Sequence, residues 1–383
     1  MTAAEDRRRP PEPIPLTVLT GFLGAGKTTL LNKLLKDPAL AGTAVIINEF
    51  GEVGLDHLLV DYIGDNMVLL QSGCLCCTMR GDLVDALERL LRDLDNGRVS
   101  FNRVLLETTG LADPAPVLHT MMSHPYLVLR YRLDGVVTVV DAVNGEATLD
   151  AHAEAIKQAA VADRLVLTKT DIATAEQRDA LVARLHTLNP AAPVLDAAAG
   201  EAAPANLFGC GLYDPEKKIP DVKRWLAEEA YAGHDHAPGH HQHDEHRHAH
   251  DHAHLDRSRH DDHIHSFVIT TGRPVPAGTL EMFLDLLRAT HGASLLRVKG
   301  IVNVAEMPDT PVVVHGVQHV FHPPARLERW PDEDRRTRIV FITRDLPEAA
   351  VRELFEAFLG TPAPDRPDRA ALVDNPLVPF GGR

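Results

Sequence analysis

The sequence predicts an α/β fold: a mostly parallel sheet covered by helices, followed by a smaller α+β domain. Three observations carry it. Short, nearly continuous apolar runs recur through the first half of the 383-residue chain, as strands buried on both faces require. Segments of helical periodicity fall between several of them, the alternation of a parallel sheet. A glycine-rich turn joins the first apolar run to the first helical one.

The first run, 14–20 (IPLTVLT), is β-branched and leucine-rich and reads as a strand. The turn GFLGAGKT follows, and a helical pattern begins at Lys27. Gly21, Gly26, Lys27 and Thr28 match the phosphate-binding P-loop in its required strand–turn–helix setting, so the first domain is predicted to be a P-loop NTPase domain. The glycines let backbone N–H groups curl around phosphate oxygens, and the helix N-terminus favours their charge. Gly21, Gly24, Gly26, Lys27, Thr28 and Thr29 are the candidate nucleotide-binding residues of this turn. Lys27 is expected to reach the β- and γ-phosphates, and Thr28 to hold Mg²⁺ through its hydroxyl. The glycine spacing is GxxGxG, not the GxGxxG of dinucleotide sites, which disfavours a dehydrogenase.

Further strands are predicted at 43–49, 66–71, 103–108, 134–140 and 163–168, with helices at 80–95, 150–161 and 174–187. In such a sheet, functional groups lie just past the carboxyl ends of strands. The run 103–108 ends in ETTG, where Glu107 can hold the magnesium through water and the Gly110 N–H can meet the γ-phosphate. The run 163–168 leads into TKTD. There Asp171 can accept both guanine N1–H and N2–H, a pattern adenine does not offer, and the stem of Lys169 can cover the base, favouring GTP over ATP. The run 43–49 opens into NEFGEVGLD, an acidic glycine-containing loop able to move when the γ-phosphate leaves.

Only four cysteines occur in the chain, and Cys74, Cys76 and Cys77 fall within four positions. A redox pair would use two and leave the third, and core packing suits the polar setting SGCLCCTMRGD poorly. Three thiolates suit zinc, which takes a fourth ligand from Glu52, a histidine or water; cobalt, nickel and Cu(I) stay open. Cys210, in LFGCGLY, reads as structural.

The words TGFLGAGKTTLLN (20–32), NEFGEVGLD (48–56), GCLCC (73–77), LLETTGLADPAPV (105–117) and ADRLVLTKTDI (162–172) occur in this order. With LLRVKGIV (295–302) and HGVQHVF (315–321), they make the chain resemble the CobW-type P-loop GTPases over roughly 14–360, and among them the YjiA-like metal chaperones. The resemblance implies GTP hydrolysis coupled to delivery of zinc, or sometimes cobalt, to a client metalloprotein. It carries the P-loop roles onto Lys27 and Thr28, the cysteine motif onto Cys74, Cys76 and Cys77, guanine reading onto Asp171 and an acidic metal ligand onto Glu52. Two positions depart. Thr168 stands where many members have asparagine, as it does in YjiA-like proteins, and is expected to loosen the base-reading loop. Where such proteins can carry a second glutamate, this chain has Ile47.

Thirteen of the 22 histidines lie in 234–265, spaced largely as HxH among aspartates. Neutral imidazoles bind zinc, nickel and cobalt, so this low-complexity segment is expected to gather metal near the cysteines. It also separates the domains, expected at 14–200 for the GTPase, 201–264 for the linker with its histidine loop, 265–360 for the α+β domain and 361–383 for a peripheral tail. A helical patch is predicted near 220–231. The second domain is predicted to hold strands at 266–271, near 295–303, 311–320 and 337–343, and helices at 278–290 and 347–359.

The formal charge of −15 argues against nucleic-acid and anionic-membrane partners. The N-terminus lacks the apolar run of a secretory signal and no run is long enough to span a bilayer, so the expected location is the cytoplasm, where clustered thiols stay reduced. The expected activity is a slow GTPase with Lys27, Thr28, Glu107 and Gly110 at the reacting phosphate, acting as a zinc chaperone. The alternatives are a nucleotide-gated regulator with a structural metal, or a cobalt or nickel insertion or storage protein.

Overall fold

The computed structural model describes residues 12–49, 67–71, 79–210 and 263–360. Its first sheet has seven strands: β1 (Ile14–Gly21), β2 (Thr43–Glu49), β3 (Met67–Gln71), β4 (Arg103–Glu107), β5 (Tyr131–Asp141), β6 (Arg164–Thr168) and β7 (Val194–Asp196). Their order is β3-β2-β4-β1-β5-β6-β7, and every pairing is parallel. The crossovers are α1 (Lys27–Leu35), α2 (Met79–Asp95), α3 (Ala115–Ser123), α4 (Leu127–Arg130), α5 (Gly145–Ala151), α6 (Ala153–Ala160) and α7 (Ala175–Leu188).

The period-two alternation of strands explains the two cores. Leu16, Val18, Ile46, Val104 and Leu106 turn to one face and pack on Leu87 and Leu91 of α2 and Leu118 of α3. Leu19, Val45, Leu105, Val139 and Val166 turn to the other, onto Leu30, Leu31 and Leu34 of α1. Because both faces are covered, the strands read as continuous apolar runs.

The second sheet is antiparallel. It is built from β8 (Ile264–Thr271), β9 (Leu295–Val302), β10 (Val312–Val317), β11 (Val320–Phe321), β12 (Ala325–Arg326) and β13 (Thr337–Arg344), in the order β11-β10-β9-β13-β8 with β12 on β10. Helices Ala277–His291 and Glu348–Phe358 pack on it through Phe283, Leu287, Val351 and Phe355.

Several predicted elements are corrected. The strand expected over 311–320 is a hairpin, broken after Val317 where Gln318 takes φ +52°. The helix expected over 150–161 is the end of α5 and all of α6, parted by extended His152 at φ −135°. Helix α3, hidden behind the prolines of ADPAPV, and the three-residue strand β7 were not predicted. The patch at 220–231 and the tail 361–383 lie outside the described residues.

The two sheets meet at a buried ion cluster. Asp163, just before β6, bonds Arg297 at 2.5 Å and also Lys299, both on β9. All three side chains are at most 7% exposed. Beside it, Ala160 packs on Leu296 and Ile342. Further along, His119 of α3 donates from Nε2 to the Val317 carbonyl at 2.8 Å. Among the described residues, no helix is long and apolar enough to cross a membrane.

Candidate nucleotide-binding site

The carboxyl ends of β1, β4, β5, β6 and β7 converge on the GFLGAGKT turn. Gly21 has φ +142°, and a Cβ there would lie 2.3 Å from the Val139 carbonyl oxygen, so β5 forbids any side chain. Gly24 (φ +71°) and Gly26 (φ +93°) wind the loop into α1. Lys27 is buried and folds back over the turn, its Nζ donating to the carbonyls of Gly21 at 2.9 Å and Phe22 at 3.2 Å. An anion competes well with neutral carbonyls for such an ammonium. Thr29 is exposed at the start of α1.

Thr28 Oγ1 donates to Glu107 Oε1 at 3.4 Å. The pair joins the first turn of α1 to the end of β4, and Glu107 is buried there. A hydroxyl and a carboxylate oxygen side by side are the hard donors that Mg²⁺ takes, so these residues fit that ion. Beyond Glu107, Thr108 Oγ1 donates to Thr20 Oγ1 at 2.8 Å, tying β4 to β1. Gly110 lies so close to the turn that a Cβ on it would fall 2.7 Å from the Leu23 nitrogen. Gln158 of α6 holds this segment, its Nε2 donating to the carbonyls of Gly110 at 3.2 Å and Ala112 at 3.0 Å. A cavity of about 230 Å³ opens beside the loop, lined among others by Phe22, Gly24, Asp141, Gln158 and Lys169.

The TKTD segment sits against the same loop. Thr168 Oγ1 lies 2.6 Å from the Ala25 carbonyl and 3.3 Å from that of Val140. The Thr168 hydroxyl reaches the phosphate loop directly. Lys169 has φ +57° and its Nζ meets Asp141 Oδ2 at 2.6 Å. Thr170 Oγ1 donates to Asp196 Oδ1 at 2.6 Å, and Asp171 is exposed at the rim. Burial alone would push the pKa of both aspartates up. The Lys169 and Asn144 bonds to Asp141, and those from Thr170, Ala199 and Ala198 to Asp196, outweigh it and hold both below the usual carboxylate range.

The structure thus brings together Gly21, Gly24, Gly26, Lys27, Thr28, Thr29, Glu107, Gly110, Lys169 and Asp171. Sequence reasoning missed Asp141, Gln158 and Asp196. Asp141 was within reach, since it closes the apolar run GVVTVV at a strand's carboxyl end. Asp196 ends a strand too short for any periodicity, and Gln158 looks like any polar helix residue.

Cys74, Cys76, Cys77 and Glu52 lie outside the described residues, as does the histidine run up to residue 262. Among the described residues no group of three or more His, Cys, Asp or Glu side chains is disposed to hold a metal. Cys210 is buried with its thiol 3.1 Å from the Leu207 carbonyl, the structural setting expected for it.

Residues 15–196 match the family model of the CobW/HypB/UreG nucleotide-binding domain, and 264–359 that of the cobalamin synthesis protein CobW C-terminal domain. Zinc chaperone YjiA of Escherichia coli is 34% identical over 344 residues, covering 90% of this chain and 98% of that protein. Zinc-regulated GTPase metalloprotein activator 1 of Schizosaccharomyces pombe is 35% identical over 196 residues, 49% of this chain and 47% of that protein. The crystal structure of Zn(II)-bound YjiA GTPase from E. coli aligns with a TM-score of 0.60 at 30% identity, covering 91% of this chain and 99% of that one.

Proposed function

The chain belongs to the CobW/YjiA-type P-loop GTPase family, and on that premise we propose that it hydrolyses GTP to load or release zinc for a client metalloprotein. The observation that carries the nucleotide half is the meeting of Lys27, Thr28 and Glu107 with the TKTD turn at one edge of one parallel sheet. The metal half rests on the cysteine run, which begins three residues past Gln71, the carboxyl end of β3 at that same edge. Zinc in the names of the relatives supports it.

The backbone N–H groups of 21–29 cradle the phosphates, and Lys27 exchanges its two carbonyls for β- and γ-oxygens. Thr28 and Glu107 hold Mg²⁺, which when bound neutralises charge on the transferred phosphoryl group. The Gly110 N–H meets the γ-phosphate, and Gln158 keeps that backbone in place. Lys169 covers the base and Asp171 accepts its N1–H and N2–H. With positioning and charge supplying the catalysis, intrinsic turnover is slow. Zinc, the cargo, binds Cys74, Cys76 and Cys77 with Glu52 as the fourth ligand, fed by the histidines of 234–265. We divide the chain at 14–200, 201–264, 265–360 and 361–383 accordingly.

The test is Zn²⁺ affinity by chelator competition, with Mg·GDP against a non-hydrolysable Mg·GTP analogue. The protein should lack 234–262, the deletion stopping before Ile264 opens β8. The expected result is a difference of about tenfold, about 1.4 kcal/mol of coupling, that is lost in Cys76→Ser. Equal affinities in both nucleotide states overturn gating and leave a GTPase with a structural or stored metal.

A further inference from the structure

The turn that presents Asp171 is held from both sides in a way the phosphate and base contacts do not require. Strand β6 lies between β5 and β7. Each flanking strand ends on an aspartate, and these face the end of β6 in register, Asp141 opposite Thr168 and Asp196 opposite Leu167. Three consecutive side chains then leave in three directions: Thr168 to the Ala25 carbonyl, Lys169 to Asp141 and Thr170 to Asp196.

Both aspartates are themselves fixed. Asp141 Oδ1 accepts from the Val143 N–H at 2.8 Å and the Asn144 N–H at 3.2 Å, and its Oδ2 accepts from Asn144 Nδ2 at 2.9 Å. Asp196 Oδ1 accepts from the Ala198 N–H at 2.8 Å and the Ala199 N–H at 3.1 Å. Lys169 is one of only three non-glycine residues at positive φ among the described residues. That conformation costs about 1 kcal/mol or more and persists where neighbours over-determine it. Just beyond, the Ile172 and Ala173 N–H groups both bond the Lys169 carbonyl, at 3.2 and 3.1 Å, closing the turn on which Asp171 stands exposed.

We propose that Asp141 and Asp196 are positioning residues that set guanine selectivity by fixing the angle at which Asp171 meets the base. The proposal rests on the base assignment given above. A carboxylate that reads two N–H groups must lie in the plane of the base. A tilt of the turn keeps the phosphate contacts and loses one of the two base contacts. Thr170 bonds Asp196, and Asp196 also bonds the Ala198 and Ala199 N–H groups, so the pair acts through the turn.

The experiment measures GDP and IDP affinities by displacement of a fluorescent guanine nucleotide from the full chain. IDP lacks only the 2-amino group, so the GDP:IDP ratio reports the Asp171 contact to N2–H, and IDP affinity reports the phosphate contacts together with the N1–H contact. Asp171→Asn, which puts a donor against the guanine donors, sets the ratio for a lost base contact. Asp196→Ala and Thr170→Val are expected to bring the ratio down to that level, by about tenfold, with IDP affinity within about twofold of the parent. Asp141→Ala is expected to act in the same direction. Asp196→Asn retains the Oδ1 acceptor and should restore the ratio. Thr170→Val leaves the Asp196 backbone bonds in place and so guards against a misfolded loop. If GDP and IDP weaken in parallel, or neither changes, while Asp171→Asn loses selectivity, the positioning role is overturned and the base assignment stands. If Asp171→Asn keeps its selectivity, both fall together.

Discussion

Replacing Asp163 by asparagine removes the one carboxylate that two buried cations share. Arg297 and Lys299 reach it from β9, and neither has more than 7% of its side chain in solvent. Burial and the Arg297 charge already push the Lys299 ammonium down to about 8, although Asp163 pulls it up, so the cluster carries more positive charge than it can neutralise. Asparagine keeps the shape and can still accept from the Val136 N–H, bonded now at 2.9 Å. It cannot offset either charge. Breaking a buried pair from one side costs about 3–5 kcal/mol, and that is the expected loss in urea unfolding at pH 7. Lys299→Met, by contrast, leaves a one-to-one Arg297–Asp163 pair and removes a charge that the fold penalises, so stability at pH 7 should rise. A loss under about 1 kcal/mol in Asp163→Asn, or an equal loss in both variants, would refute the charge argument.

The same lysine gives a pH signature. Folded Lys299 releases its proton near 8 and unfolded lysine near 10.5, so between these values the unfolded chain holds more protons and stability rises with pH. The penalty is fully present below pH 8. Lys299→Met should erase that rise, up to about 1.4 kcal/mol per pH unit, in parallel denaturation series from pH 7.5 to roughly 10. Thr168→Ala removes the hydroxyl that reaches Ala25 and should weaken GDP about three- to tenfold by equilibrium titration; unchanged affinity would mean the tether is idle. Gly21→Ala must drive a methyl into the Val139 carbonyl and should lower stability by about 3 kcal/mol or more, visible as a fall in melting temperature without nucleotide. Lys27→Met should cut single-turnover GTP hydrolysis by about a hundredfold or more, and more steeply than it lowers GDP affinity, because the Lys27 charge is needed most at the transferred phosphoryl group.

The nucleotide half of the chain was legible because its signals are local. A buried parallel strand writes itself as an apolar run, and a phosphate loop as glycines before lysine and threonine. Glu107, Gly110 and Asp171 followed from the rule that strands deliver function at their carboxyl ends. What escaped depends on contacts distant in sequence. Asp141 and Asp196 matter because β5 and β7 flank β6, a neighbour relation absent from the order of residues. Thr168 reads in the sequence as a substitute for asparagine, and its bond to the Ala25 carbonyl depends on a closeness that the order of residues does not show. Gln318 breaks the expected strand at φ +52°, and its Nε2 reaches Asp113, ahead of α3, at 3.4 Å, a contact distant in sequence.

Strand β6 is only five residues long, about 16 Å at the rise of a strand. One end is gripped through Asp163 by the second sheet, the other through Thr168 by the phosphate loop. A hydrogen-bonded strand between two neighbours neither stretches nor shortens, so it works as a lever arm with a hand at each end. Grafting a C-terminal domain from a relative onto this chain would therefore transplant more than a lid. A graft that lacks cations at the places of Arg297 and Lys299 leaves one end of that lever unheld. The choice of second domain then becomes part of how stiffly the TKTD turn is mounted.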